Sequence, residues 1–123
     1  MEWVEGRTST VFYLKFLSDN SKAFLRYRVE NSKLLLVETY TPPQHRGKGA
    51  AKRLVEMALE YARENSLEVV PICSYSIHYF IKNREARDIL AEPYKSMSTE
   101  ELTKYFEEAR RREAEKQRKE ARH

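Results

Sequence analysis

Residues 40 to 54, YTPPQHRGKGAAKRL, hold two of the chain's three glycines and four formal positive charges at the mouth of a run with helical spacing. Bare backbone and positive charge at the start of a helix suit a phosphate. The first turn of a helix presents N–H groups that have no intrahelical partner, and the helix dipole adds partial positive charge there. Gly47 and Gly49 let a ligand approach the backbone, while Arg46, Lys48, Lys52 and Arg53 raise the potential around it. The stretch is therefore expected to form an anion site of pyrophosphate size. Two well-known phosphate patterns fail: a P-loop needs an earlier glycine and a Ser or Thr after its Gly-Lys, and a dinucleotide fingerprint needs a third glycine where Lys52 stands.

A second group of reactive side chains follows about twenty residues later in Pro71-Ile72-Cys73-Ser74-Tyr75 and Tyr79-Phe80-Ile81-Lys82. Cys73 precedes a helical stretch, where a thiol can have a lowered pKa and act as a nucleophile; a small core residue is the plainer reading. Tyr79 is read either as packing between helix and sheet or as an acid. His45 is expected to be a solvated loop residue or a phosphate contact. His78 is expected on an exposed helix face, with no second ligand at metal spacing, so no metal site is expected. Pro42-Pro43 is expected to end a strand and fix the entry to the loop.

These residues need elements to position them. Three β-rich runs, VFYLKFL, KAFLRYRV and KLLLVETY, lie between Val11 and Tyr40, and the turn residues SDNS and ENS separate them, which predicts an antiparallel meander. Ala23, Leu25, Tyr27 and Val29 make one apolar face of the second run, and LLLV in the third predicts a strand covered on both sides. From about Gly47 to Asn65, Ala50, Ala51, Leu54, Val55, Ala58, Leu59 and Ala62 recur at helical spacing. LEVVPIC then reads as a strand, completing a βαβ-type crossover with a parallel pair. A further helix is expected over roughly Ser76 to Leu90, closed by Pro93. Ser98-Thr99-Glu100-Glu101 is a capping box opening a last helix. Beyond Arg110 that helix has almost no apolar residue. Glu107 with Arg111, Glu108 with Arg112 and Glu115 with Lys119 are spaced for ion pairs, so it is read as solvated.

Composition bounds the function. A chain of 123 residues with 41% hydrophobic residues suits one compact domain, divided here as residues 1–97 with a charged helical extension over 98–123. Net charge is +4 on a 34% charged background, a small excess that argues weakly for a polyanion partner. One cysteine excludes an internal disulfide, no membrane span is expected, and a reducing, cytoplasmic setting is the default.

Gln44-His45-Arg46-Gly47-Lys48-Gly49 matches Gln/Arg-x-x-Gly-x-Gly/Ala, and the frame Arg46-x-x-Gly49-x-Ala51 matches as well. This resembles motif A of the GNAT superfamily of N-acetyltransferases. With Pro71-Ile72-Cys73-Ser74-Tyr75 at its distance, the chain resembles a group of minimal, single-domain GNAT-like proteins over roughly residues 10 to 90. The resemblance implies a mixed α+β, α/β-type fold with splayed strands, truncated, and with an extra C-terminal helix. It implies acetyl-CoA or CoA as cofactor, with the pyrophosphate cradled by Gln44 to Ala51 and pantetheine on the backbone of Thr39, Tyr40 and Thr41. The thioester then falls near Cys73, with Tyr75, Tyr79 and Lys82 along the following segment. Direct attack by an amine is the usual chemistry, with a tyrosine as acid: Tyr79 first, Tyr75 second, and Cys73 as carrier in a covalent variant. Two departures concern the acceptor. The helices that usually follow the first strand have no room here, and Tyr40 stands where minimal relatives often carry an acid, leaving Glu38 as candidate base.

Three functions follow from this reading. The first is transfer of acetyl to a small-molecule or protein amine. The second is CoA or acyl-CoA binding with little transfer, and the third is nucleic-acid binding through Arg46, Lys48, Arg53 and the tail. The tail's near-neutral charge balance speaks against the last. The C-terminal helix is also a candidate surface for homo-oligomer formation.

Overall fold

The structure is a computed structural model that describes residues 2–121. Five strands, β1 (Trp3–Arg7), β2 (Val11–Phe16), β3 (Lys22–Glu30), β4 (Lys33–Tyr40) and β5 (Glu68–Pro71), form one sheet in that order. The first four pair antiparallel and β5 joins β4 in parallel, with α1 (Ala50–Glu64) as the crossover. Then come α2 (Ser74–Lys82) and α3 (Thr99–Ala121). The expected meander, crossover and mixed α+β class are all present.

Between β3 and β4, Asn31 and Ser32 have φ of 49° and 60°. Two central residues in the left-handed region make the mirror-image turn that follows the right-handed twist of paired strands. One face of the sheet buries Phe12, Leu14, Leu25, Leu34 and Leu36 with Leu54, Val55, Ala58 and Leu59 of α1 in a single cluster. Each such side chain stabilises by roughly 1.5–3 kcal/mol when fully removed from water. On β4 the other face is thinner: Leu35 and Val37 are half-buried, and Val29, expected inside, is 48% exposed near the end of β3.

The edge strand β1 was not part of the expected meander, and its five residues with a central glycine explain why. The Tyr13 ring lies across Gly6 so closely that an added Cβ would sit 2.4 Å from it. Arg53 then ties β1 to α1, donating from Nε and Nη2 to the Glu5 carboxylate at 2.6 and 2.9 Å. Arg53 therefore faces the sheet edge and does not contribute to the anion loop, contrary to expectation. The hydrogen bond from Arg53 is the main reason that the Glu5 carboxyl titrates below its usual value. Both side chains are about one-third exposed, so Glu5→Ala is expected to lower stability by about 1 kcal/mol or less. A depressed carboxyl stabilises only above its unfolded pKa, so the difference from wild type in urea melts should shrink as pH falls below about 4.

The expected helix over Ser76 to Leu90 is corrected at both ends. It begins at Ser74 and stops at Lys82, because Asn83 (φ −122°, ψ 77°) leaves helical geometry; a 3₁₀ segment follows over Arg84–Ile89. Arg87 donates back to the carbonyls of Phe80 and Ile81 at 2.6 and 3.2 Å, satisfying the orphan acceptors of the last turn. Among the described residues no helix is long and apolar enough to cross a membrane.

The register of β3 on β4 breaks at one point. Tyr27 faces Leu36 and Arg26 faces Glu38, so Val37 is the extra residue of a bulge. Pairing of β4 with β5 ends at Leu36 and Pro71, and the Ile72 and Cys73 N–H groups both donate to the Leu36 carbonyl at 3.0 Å. From Val37 to Tyr40, β4 runs on with no β5 partner. The two strands splay there.

Candidate active site

The anion loop begins where β4 ends. Pro42 and Pro43 start a short 3₁₀ turn to His45, and Gly47 and Gly49 have φ of 81° and 82°. A Cβ at either glycine would meet nothing within 4 Å, so the backbone there faces open space. α1 starts at Ala50 and not at Gly47, because left-handed Gly49 is its N-cap; no side chain caps the first turn. These are the bare N–H groups that a phosphate needs.

Behind the loop the chemistry is structural. His45 is only 4% exposed and stacks on Phe16, with ring centroids 3.7 Å apart and planes within 5°. It is neither a solvated residue nor one whose nitrogens face outward. Its Nε2 lies 3.0 Å from an Asp19 oxygen and its Nδ1 3.2 Å from Lys48 Nζ. An ammonium only donates, so Nδ1 is the acceptor and Nε2 carries the proton to Asp19. Gln44 also donates to Asp19, at 3.1 Å. The side chains of Gln44 and Lys48 thus point to the back of the loop. Asp19 is held well below the usual carboxylate range, first by the Ser21 hydroxyl, then by Gln44, the Ser21 N–H and His45. The Asp19 carboxylate therefore keeps its charge at mildly acid pH.

Two clefts open on the splay. The first, about 540 Å³, runs from Arg46, Gly47, Gly49, Ala50 and Ala51 past one edge of His45 to Thr39, Tyr40 and Thr41, ending at Tyr75 and Gln117. The second, about 470 Å³, is lined by Glu38, Cys73, Ser74 and residues of α3, and it shares Thr39, Tyr75 and Gln117 with the first. Most of the residues expected to hold a cofactor therefore meet along one channel. Tyr79 and Lys82 do not: Tyr79 is 9% exposed in the core and Lys82 is at the far end of α2, and neither lines either of these two clefts.

Cys73 is buried at the start of α2 within a chain of contacts. The Ser76 hydroxyl donates to the Cys73 carbonyl at 2.7 Å, the thiol donates to Ser76 Oγ at 3.3 Å, and Thr39 Oγ1 lies 3.0 Å from the sulfur. With the Ser76 and Cys73 protons so placed, Thr39 is the donor to sulfur. Tyr75 is half-buried with its pKa raised, chiefly by burial and then by Tyr79 and Glu56, so its phenol stays protonated well above neutral pH.

Beyond Arg110, α3 is solvent-exposed as expected, save half-buried Glu113, yet side chains along the helix reach the end of β5 and the start of α2. Tyr105 donates to the Pro71 carbonyl at 2.8 Å and Arg112 to the Ile72 carbonyl at 3.3 Å. Glu113 accepts from the Ser74 N–H and hydroxyl at 2.9 and 2.7 Å, capping α2. None of the three expected ion pairs appears among the described residues; Glu115 pairs with Arg118 instead. A signal for this was present: Leu102, Phe106, Ala109, Glu113, Lys116 and Glu120 recur at alternating four- and three-residue steps, the spacing of one helix face. The stripe is buried at Leu102 and Ala109 and becomes the lining of the second cleft from Glu113 onward.

A sheet opened between β4 and β5, with a glycine-bearing loop leading into a helix and a channel along the splay, is the arrangement of an acyltransferase. Residues 12–89 match the family of GCN5-related N-acetyl-transferases, and the chain belongs to that family. Among solved structures it is similar to a GCN5-like candidate N-acetyltransferase from Staphylococcus aureus determined by NMR. Identity is 26%, covering 73% of this chain and 89% of that one, with a TM-score of 0.56. The family match leaves out β1 and α3.

Proposed function

We propose that the protein is an acetyl-CoA-dependent N-acetyltransferase acting on a small-molecule or protein amine by direct attack. The observation that carries this is the meeting of two clefts at Thr39 and Tyr75, one leading from an anion loop and the other lined by a carboxylate, Glu38. The loop backbone from Arg46 to Ala51 would hold the diphosphate, and the unpaired edge of Thr39 to Thr41 would hold the pantetheine amides. When bound, acetyl-CoA supplies the activated acyl carbon.

The acceptor enters by the second cleft as a free amine. With acetyl-CoA held along the first cleft, the acceptor nitrogen would be placed to attack the thioester, and Glu38 would take the amine proton and release it to solvent. Tyr75 gives its phenolic proton to the departing thiolate and is reprotonated from solvent. A raised phenol pKa suits an acid, because the donor form persists; no falling limb of the rate from Tyr75 is expected below about pH 10. Tyr75→Phe is expected to lower kcat about 10²-fold with little change in the KM for acetyl-CoA. Cys73→Ala is expected to keep kcat within about tenfold of wild type, since the buried thiol donates to Ser76 and accepts from Thr39. A loss of about 10³-fold in that variant would instead make Cys73 the acyl carrier.

A binding-only function has one observation in its favour: β2 and β3 are joined by a short turn from Leu17 to Ser21, with no acceptor helices between them. Thermal melts with acetyl-CoA, CoA and ATP, followed by thiol release with an amine panel, separate the two. Stabilisation by both CoA species without turnover of any amine would favour binding alone. Lack of stabilisation by either would remove the acetyl-CoA reading.

A further inference from the structure

The face of α3 changes chemistry along its length without changing direction. Leu102 and Ala109 are buried, whereas the same face further on, Arg112, Glu113, Lys116 and Glu120, lines the second cleft opposite Glu38 and Arg26. Several of these charges are already engaged. Glu113 is spent on the N-terminus of α2, and Glu38 accepts from Arg26 at 3.2 Å. Arg112 uses one N–H on Ile72. What remains toward the cleft is the rest of the Arg112 guanidinium and the Lys116 ammonium, with Glu120 one turn beyond.

The same two cations continue into an adjoining open groove lined by Arg111, Arg112, Glu115, Lys116 and Lys119, and Glu115 there is paired with Arg118. The groove sets four cations against Glu115, so this approach is positive, and it leads to a cleft in which Arg26, Arg112 and Lys116 face Glu38, Glu113 and Glu120. A polycationic acceptor would be repelled along it, and an anionic group would be drawn in and held by a guanidinium or ammonium.

We propose that α3 is the acceptor wall of this enzyme and that Arg112 and Lys116 select a small amine that itself carries a carboxylate, of amino-acid type. Its amine lies toward Thr39, Glu38 and Tyr75 while its carboxylate lies against α3. This rests on the acetyl-transfer reading above and names its substrate class. It also accounts for how the truncated fold replaces the missing acceptor helices: the helix outside the family match supplies the wall.

The test uses the purified full chain with saturating acetyl-CoA and matched acceptor pairs, glycine with glycinamide and β-alanine with β-alaninamide, together with spermidine. Each carboxylate acceptor is expected to exceed its amide partner in kcat/KM by about tenfold or more, and spermidine to be the poorest of the set. Lys116→Glu, at an exposed position, should erase or invert the carboxylate preference while the Kd for acetyl-CoA measured by calorimetry stays within about threefold. Equal rates for acid and amide, a preference for spermidine, or an unchanged ratio in Lys116→Glu would each overturn the inference. Turnover in those cases leaves the acetyltransferase intact. Binding of acetyl-CoA with no acceptor acetylated also overturns the inference and favours the binding-only function, whereas failure to bind acetyl-CoA removes the acetyl-transfer reading itself.

Discussion

Gly49→Glu is expected to weaken acetyl-CoA binding at least about 10²-fold, a loss of about 2.7 kcal/mol, in a protein that still folds. Gly49 is the N-cap of α1 at φ 82°, and a Cβ there meets nothing within 4 Å. The side chain has room, so the fold pays only for an L-residue in left-handed geometry, about 1–2 kcal/mol. A carboxylate near a helix N-terminus recovers a few tenths of that through the dipole. It does so by occupying the position where a phosphate would gain the same stabilisation, and it adds like-charge repulsion to any diphosphate. Gly49→Ala separates the two effects: it carries the same backbone strain without charge, and should melt a few degrees lower than wild type while losing far less affinity. Calorimetric titration and thermal melts of the three proteins give both numbers. Binding by Gly49→Glu within about threefold of wild type would mean that the loop is not the diphosphate site.

The parts of this protein that were legible in its sequence are those where one physical demand fixes the residue type. Left-handed backbone leaves glycine at 47 and 49, and the apolar stripe from Leu54 to Ala62 has a single helical reading. The alternation in β2 and β3 is equally unambiguous. What escaped were partnerships between distant segments. Asp19 lies in a turn whose composition explains the turn fully, so nothing marked it as the anchor of a loop 26 residues away. Arg53 is close in sequence to the glycines, yet a helical residue four places past the N-cap points to another side, and Glu5 from β1 is there to meet it. Tyr79 and Tyr75 are four apart on one helix face, and periodicity alone cannot say which of them overhangs the gap; the start of α2 at Ser74 puts Tyr75 in its first turn, next to Thr39 and Gln117. For α3 the polar character of Glu113 and Lys116 concealed their periodicity. Polar residues on a docking face are the expected composition of a wall that meets a solvent-filled cleft.

His45→Ala is expected to cost about 2–4 kcal/mol and to lower the melting temperature by roughly 8–15 °C, more than any other single change in the loop. The ring is 4% exposed, stacks face to face on Phe16 at 3.7 Å, and joins Lys48 to Asp19 through its two nitrogens. Truncation removes the stack and leaves a void beneath the loop, while the two hydrogen bonds return their charged partners to water at small cost, since both are solvent-accessible. His45→Phe divides the effect, because it refills the void and restores stacking but severs the link between the β2–β3 turn and the loop. That variant should recover much of the melting temperature and little of the acetyl-CoA affinity, for Nε2 of His45, with Gln44, is what holds the 3₁₀ turn before Gly47 against Asp19. Asp19→Ala should then add only the smaller loss of the Gln44 contact to His45→Phe in a double-mutant cycle on affinity, since the His45 link is already gone. Fully additive losses would show that the loop is held by its glycines and prolines alone, and a melting temperature for His45→Ala within about 2 °C of wild type would show that the stacked ring contributes no net packing energy. Lys48→Ala is the remaining member: its ammonium is turned to His45 and not to the cleft, so its loss should weaken cofactor binding less than the loss of Arg46, whose position lines the first cleft.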